Sequence, residues 1–297
     1  MRELTAIITS YRSPRPLRLC LLAFAAEIER MGARGERPQV DLIVADDGDP
    51  EHQSRGPAQE AAQWRAFRSI RRLWQVHDGY GKCRLANKSA LAARTDLLLY
   101  LDGDSLLAPG ALETHFRLAG PMRYVAGNQL RLGAQASEAV DDSLAKSGRC
   151  ASPSFILPWA LKKDGLETKP HYAFLRALGL GPLLRRTGRG GFNGGCSSLH
   201  KSLLEKVNGW DEALAGYGFD DTDLGHRLQN AGAVPVEARL EAMVVHLFHG
   251  RPYRGTEAAY EEKRKKVAAT LHGTQTQAAQ GLAQQGALDA STWEDVA

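Results

Sequence analysis

Two short, β-rich apolar runs, residues 40–45 and 97–101, each stop at a pair of carboxylates: Asp46-Asp47 after the first, Asp102-Gly103-Asp104 after the second. A third run, residues 4–9, stops at the breaker cluster Ser10-Tyr11-Arg12-Ser13-Pro14, and a weaker one covers 70–76. Runs of this kind, apolar without alternation, fit strands buried on both faces. Between them, residues 17–31 show helical apolar spacing and residues 82–93 form a second helical stretch. Strands alternating with helices predict an α/β fold, a mostly parallel sheet flanked by helices. Ligands of such sheets bind beyond the carboxyl ends of the strands, which is where these acids fall.

The second half is less regular. Pro153, Pro158, Pro170 and Pro182 interrupt a mixed apolar, aromatic and basic stretch at 152–189. Gly190-Gly191-Phe192-Asn193-Gly194-Gly195 follows, then a short helix at 201–207 and a longer one at 220–231 that opens on Asp220-Asp221-Thr222-Asp223. A late strand at 243–248 carries His246 and leads to His249, and 260–271 is a charged helix. Residues 273–297, rich in Gln, Ala and Gly, are expected to be mobile. The chain therefore divides into a regular first half (1–132), a variable insertion (133–190), a second half with the glycine-rich stretch and the acidic helix start (191–272) and a tail (273–297).

A net charge of +4 over 297 residues is too weak to predict a nucleic-acid partner. Cys20, Cys83, Cys150 and Cys196 are scattered, with no C-x-x-C pair, so neither a zinc knuckle nor a redox motif is predicted and the thiols are expected to be reduced. The first apolar run is too short for a signal peptide or a membrane span. The expected location is the cytoplasm, with any membrane contact peripheral, at the inner face. The insertion is where such contact would fall: Lys162, Lys163, Lys169, Arg176, Arg185, Arg186 and Arg189 stand among apolar residues and face only Asp164 and Glu167. Packing of those apolar residues on the sheet, or an acceptor lid, would use the same composition.

Asp102-Gly103-Asp104 offers two carboxylates on one tight turn, the hard oxygen ligands that Mg²⁺ or Mn²⁺ takes beside a nucleotide diphosphate. Asp46 and Asp47 end an earlier strand on the same side, placed to accept hydrogen bonds from a base or ribose. His246 and His249 add imidazoles, which suit Mn²⁺. The crowded acids at 220–223 could complement a helix dipole, or one could act as a general base, since neighbouring carboxylates raise each other's pKa. Each cluster taken alone is also what a solvated turn or helix start looks like; the order of all of them along the chain is far more specific.

That order resembles the inverting glycosyltransferases of family two, with the Rossmann-like GT-A fold. The second half is similar to the galactosyltransferase carboxyl-terminal region found in vertebrate β-1,4-galactosyltransferases, polypeptide N-acetylgalactosaminyltransferases and bacterial chondroitin polymerase. The matching residues are Gly194-Gly195-Cys196-Ser197-Ser198-Leu199, Asn208-Gly209-Trp210-Asp211-Glu212 and Gly216-Tyr217-Gly218-Phe219-Asp220-Asp221-Thr222-Asp223-Leu224, with Asn87 after Gly79-Tyr80-Gly81 in the first half. Position by position, the resemblance implies Asp104 and His246 as metal ligands, Asp102 and His249 being alternates. Asp102 would otherwise contact the ribose, and Asp46 and Asp47 would hold the uracil. Thr9, Tyr11, Arg84, Asn87 and Gly195 complete the donor set. Asp221 would be the catalytic base, and Asp220, Tyr217 and Trp210 would bind the acceptor. Met243 falls where galactosyltransferases place a methionine ligand. The family's Glu-Asp pair is Asp220-Asp221 here, and its paired tryptophans are Ala215 and Tyr217, so the acceptor platform differs.

The implied activity is transfer of a hexose (Gal, GalNAc or Glc type) from a UDP-sugar to a glycan or glycolipid hydroxyl, using Mn²⁺ or Mg²⁺, in polysaccharide or lipopolysaccharide synthesis. Arg84 and Arg251 are the expected cations for the leaving diphosphate. A sugar-nucleotide nucleotidyltransferase would need a glycine-rich loop after the first strand, and Thr9-Ser10-Tyr11-Arg12-Ser13-Pro14 has no glycine. A catalytically inactive, carbohydrate-binding relative would have little need of so complete an acidic set.

Overall fold

The computed structural model describes residues 2–48, 53–162, 164–188, 190–214, 216, 218–250, 256–286 and 292–297. Its strands are β1 (Glu3–Ser10), β2 (Gln39–Asp46), β3 (Ser69–Trp74), β4 (Leu97–Asp102), β5 (Ser105–Leu107), β6 (Arg123–Ala126), β7 (Asn128–Arg131), β8 (Arg186–Thr187), β9 (Cys196–His200), β10 (Val234–Glu237), β11 (Met243–His246) and β12 (Trp293–Asp295).

The unbroken apolar runs are explained by burial on both sides. Leu4, Ala6 and Ile8 of β1 meet Leu17, Leu21, Phe24 and Ile28 of the helix Pro14–Ala33 on one face. Ile7 meets Leu85 and Ala86 of the helix Lys82–Ala92 on the other. β2 and β4 repeat the split: Leu42, Val44, Leu99 and Leu101 face the first helix, and Ile43, Leu98 and Tyr100 the second. Each fully buried aliphatic side chain contributes roughly 1.5–3 kcal/mol, so the alternation of faces fixes the register firmly.

One nine-stranded sheet runs in the order β12-β3-β2-β1-β4-β9-β6-β10-β8. β3, β2, β1 and β4 are parallel, as the strand–helix alternation predicts. Beyond β4 the sheet is mixed: β9 is antiparallel to both β4 and β6, β10 is parallel to β6, and β8 and β12 are antiparallel at the edges. β9 is entered from the glycine-rich loop and runs against β4. A second sheet, β5-β11-β7, stands at the carboxyl end of β4. In it His246 is opposite Ser105 on one side and Arg131 on the other.

The apolar residues of the insertion divide between burial against the sheet and exposure. Ile156 of the helix Pro153–Ala160 and Ala173 of the helix His171–Ala177 are buried against Leu130, Leu132 and Val245. Leu161, Leu178 and Leu183 are 81%, 71% and 77% exposed. Residues 164–168 are stitched to β7: Gly133 N donates to Gly165 O, Glu167 N to Arg131 O, and Arg131 N to the Thr168 hydroxyl. Lys163 and Arg189 lie outside the described residues.

The expectation of a mobile tail is corrected for the described part of it. Leu282 is buried, and Asp211 accepts from Ala279 N and Gln280 N, both at 3.1 Å. β12 pairs with β3 in a register that sets Glu294 opposite Arg72 and Asp295 opposite Arg71, with the Arg71 guanidinium over Trp293. The tail docks through polar partners and complementary charge, which a reading based on low hydrophobicity misses. All four cysteines are buried and unpaired. Among the described residues no helix is long and apolar enough to cross a membrane.

Candidate active site

The carboxyl ends of β1 and β4, the mouth of β5-β11-β7, the glycine-rich loop and the start of the helix Asp220–Asn230 enclose one cleft of about 460 Å³. That is the size range of small-ligand sites. Thr9, Tyr11, Asp47, Asp102, Asp104, Gly195, Asp220, Asp221, His246 and His249 line it.

Asp104 is placed by the main chain: Leu247 N donates to its carbonyl, which draws the end of β11 against the Asp102–Asp104 turn. Its carboxylate lies 3.4 Å from His246 Nε2 and 3.3 Å from His249 Nε2. The ligand atoms of the three residues fall within 4.8 Å of one another. His249 Nδ1 sits 2.7 Å from the Gly250 carbonyl, a contact that leaves Nε2 facing Asp104 as a lone-pair donor. Asp104 Oδ1 is buried without a hydrogen-bond donor in good geometry. Burial pushes this carboxyl up, Asp102 adds to the shift, and the two histidines oppose it. An unpartnered, desolvated carboxylate oxygen between two imidazoles fits a divalent cation.

Asp102 is held differently. Lys82 Nζ donates to its Oδ1 at 2.5 Å and the Thr9 hydroxyl at 3.3 Å. Burial works to raise this carboxyl, but the charge and hydrogen bond of Lys82 outweigh it, and Asp102 ends below the usual range. Lys82 was not singled out from the sequence, although it left a signal. It is the first residue of a helix, where the dipole disfavours a cation, so its place there needs another reason. Gly195 faces the same carboxylate; a Cβ there would come 2.4 Å from Asp102 Oδ2.

On the far wall, Phe219 precedes the helix with φ +67°, in the left-handed region, and its ring packs on Tyr260. This strained entry turns the first helical residues into the cleft. Asp220 is buried beside Asp221; burial and then the Asp221 charge push it up to about 6, with Lys82 and Lys263 opposing. Asp221 accepts from Thr222 N at 2.7 Å through Oδ1, and from Gly194 N at 3.4 Å through Oδ2. Asp223, one turn on, faces away, bound to the buried Arg227 and to Thr270. The acidic run thus contains two cleft acids and one structural ion pair.

Several residues expected at the site are placed elsewhere. Trp210 is fully buried, its ring edge-on to Tyr100 and Phe192, so it supports the cleft without facing an acceptor. Asn87 is also buried: it donates to Trp210 O and Glu212 Oε1 and accepts from Trp210 N, tying the helix Lys82–Ala92 to the second half. Arg84 is half exposed and pairs with Glu212, outside the cleft. Asp46 is enclosed behind the wall, where Ser54 Oγ donates to it and Arg72 Nε donates to Ser54 Oγ at 3.0 Å. Asp47 does line the cleft, but its oxygens accept from Gln75 Nε2 at 2.7 Å and Gly81 N at 2.9 Å, which fastens the 75–81 loop. Met243 is buried in the core. Ala215, Tyr217 and Arg251 lie outside the described residues. Gln129 and Arg131 line the cleft and were missed; the alternation Gln129-Leu130-Arg131-Leu132 was the strand signal for them.

A sheet parallel under the first wall, with paired carboxylates beyond its strand ends and an acidic helix start opposite, is the arrangement of the GT-A fold. Comparison with known families is consistent with this: the model for glycosyl transferase family 2 matches residues 5–134, and that described as the N-terminal domain of galactosyltransferase matches residues 184–249. The chain has the GT-A fold, with a family-2-like first half and a galactosyltransferase-like carboxyl-terminal region. Among solved structures, GalNAc-T7 with UDP, GalNAc and Mn2+ is similar at a TM-score of 0.55 and 12% identity, over 90% of this chain. This chain spans 48% of that one. A search of curated proteins gives no match.

Proposed function

We propose that the protein transfers a hexose of the Gal, GalNAc or Glc type from a UDP-sugar to a hydroxyl of a glycan or glycolipid, inverting the anomeric carbon. The observation that carries this reading is the meeting of Asp104, His246 and His249 with Asp220 and Asp221 in one cleft. Asp104 and the two histidines would hold Mn²⁺ or Mg²⁺, which when bound supplies positive charge to the donor's diphosphate. Asp221 takes the proton of the acceptor hydroxyl, and its Oδ2, with only a long contact to Gly194 N, is the oxygen available for it. The acceptor oxygen then bonds to the anomeric carbon as the bond to the diphosphate breaks. Tyr11, stacked on His77 at 4.7 Å between centroids, offers the base an aromatic face.

The acceptor is a cell-surface polysaccharide or lipopolysaccharide intermediate, met in the cytoplasm at the inner face of the membrane. Support comes from the exposed Leu161, Leu178 and Leu183 beside the exposed Lys162, Lys169 and Arg186. Their segment is fastened to β7, which lines the cleft.

The test is release of UDP from a panel of UDP-sugars, with and without acceptor. Turnover is expected to need a divalent cation and to fall by about 10²–10⁴ in Asp221→Asn, with UDP affinity unchanged. Turnover that survives full chelation would sink the metal reading. Absence of UDP release from every donor would favour an inactive, carbohydrate-binding relative.

A further inference from the structure

We propose that Arg131 binds the diphosphate of the donor and takes up the charge that collects there as the sugar departs. The inference rests on the UDP-sugar reading above and assigns the leaving-group cation to a residue on β7, in place of Arg84. Arg131 lies in register with His246 across the β7–β11 pair, and it lines the cleft. Its guanidinium is held in one orientation: Nε and Nη2 donate to Gln129 Oε1 at 3.1 and 2.8 Å. Gln129 is itself seated against Gly195, where a Cβ would approach its Nε2 to 2.3 Å. The main chain of Arg131 is fixed on both sides, by Thr168 and Glu167.

A guanidinium has five N–H groups, and the hydrogen bonds to Gln129 use two of them. Among the described residues no carboxylate pairs with Arg131. The other cleft cations are placed for different work. Lys82 is committed to Asp102, and Arg12 is exposed over the Tyr11 ring at the base end. When the bond between the anomeric carbon and the phosphate oxygen breaks, its electron pair stays on that oxygen and UDP gains one negative charge. The acceptor oxygen makes the new bond and Asp221 receives its proton. A fork oriented in advance, and free of a competing carboxylate, meets that new charge without reorganising. Gln129 is the positioning residue for it.

The experiment is calorimetric titration of UDP and of uridine, in the presence of Mn²⁺, into the wild type, Arg131→Ala, Arg131→Lys and Gln129→Ala. Thermal melts check that each variant folds. Arg131→Ala is expected to lose about 10- to 100-fold in affinity for UDP, the range for charged hydrogen bonds, and none for uridine. Arg131→Lys, which keeps the charge but loses the fork, and Gln129→Ala, which keeps the fork but frees it, are expected to fall between. Unchanged UDP affinity in Arg131→Ala overturns the inference and leaves the UDP-sugar reading standing. If acceptor KM rises in that same variant, Arg131 serves an acidic acceptor. Equal loss for UDP and uridine also overturns it, as a structural effect. A wild type that binds no UDP removes the functional reading along with it.

Discussion

Asp102, at the end of β4, and Asp220, at the start of the opposite helix, are enclosed in the same cleft, yet their acidities are shifted in opposite directions. Burial raises both. At Asp102 it is outweighed by Lys82, in direct contact at 2.5 Å. At Asp220 the nearest additional charge is Asp221, which pushes the same way, and Lys82 acts only from a distance. The β4 wall therefore carries a carboxylate that stays ionised to low pH, while the helix wall carries one that takes up a proton near 6. Identical side chains a short way apart acquire these two behaviours from the placement of one lysine, which itself rises above its ordinary range because the attraction of Asp102 and Asp220 exceeds the burial penalty.

Removing that lysine should break the comparison, and should have the largest effect. Lys82→Met leaves Asp102 desolvated without its cation and is expected to cost about 3 kcal/mol of stability in urea melts, the low end for a broken buried pair. Lys82→Arg should recover most of it. A Lys82→Met protein as stable as the wild type would show that Asp102 is held by something other than charge.

The acceptor wall should be visible in the pH profile. With Asp220 pushed up to about 6, its carboxyl is neutral below that pH and its negative charge is missing from this wall of the cleft. Turnover should rise with pH along a limb near 6, and in Asp220→Asn that limb should be lost because the titrating carboxyl is gone. Stability should run the other way. A carboxyl raised from 3.8 to about 6 contributes stability that is present below 3.8 and lost as pH rises through 6. A limb that stays at 6 in Asp220→Asn would place its origin outside the pair.

The smallest expected effect concerns the insertion. Binding to anionic vesicles at low salt, followed by sedimentation, should fall several-fold in Arg186→Ser, one charge being worth about 1 kcal/mol at such a surface. High salt should abolish it. No sedimentation of the wild type at low salt would leave the exposed leucines without a lipid role.

The same contrast marks what could be read from the chain beforehand. β1, β2 and β4 were visible because strands buried on both faces need uninterrupted apolar runs, and the acids at their ends sit where such strands deliver ligands. The acidic helix start was visible too. Its division into cleft pair and structural Asp223 was not, since it depends on Arg227 and Thr270, the latter far along the chain. Trp210 and Asn87 belong to motifs that carry the resemblance, yet they work behind the cleft, in packing and in a buried clamp. Sequence order alone does not distinguish a residue that touches substrate from one that holds the wall in place. Lys82 and Arg131 had local signals, a cation against a helix dipole and a period-two alternation, that became meaningful only when the fold set them beside Asp102 and His246.

The last strand has a consequence for the order of assembly. Arg72, fully enclosed beside the donor half, meets Glu294 at 3.4 Å, a partner 222 residues further along the chain. Through Ser54 the same arginine bears on Asp46, at the end of β2. During synthesis β3 must wait with an open edge, and Arg72 without Glu294, until β12 arrives. Contacts of such long range are slow to form, and an open strand edge invites pairing with other chains. The parallel strands of the first half therefore receive their outer neighbour only from residues 293–295. Proteolytic removal of residues 292–297 would be felt at the base end of the cleft before it reached the catalytic pair.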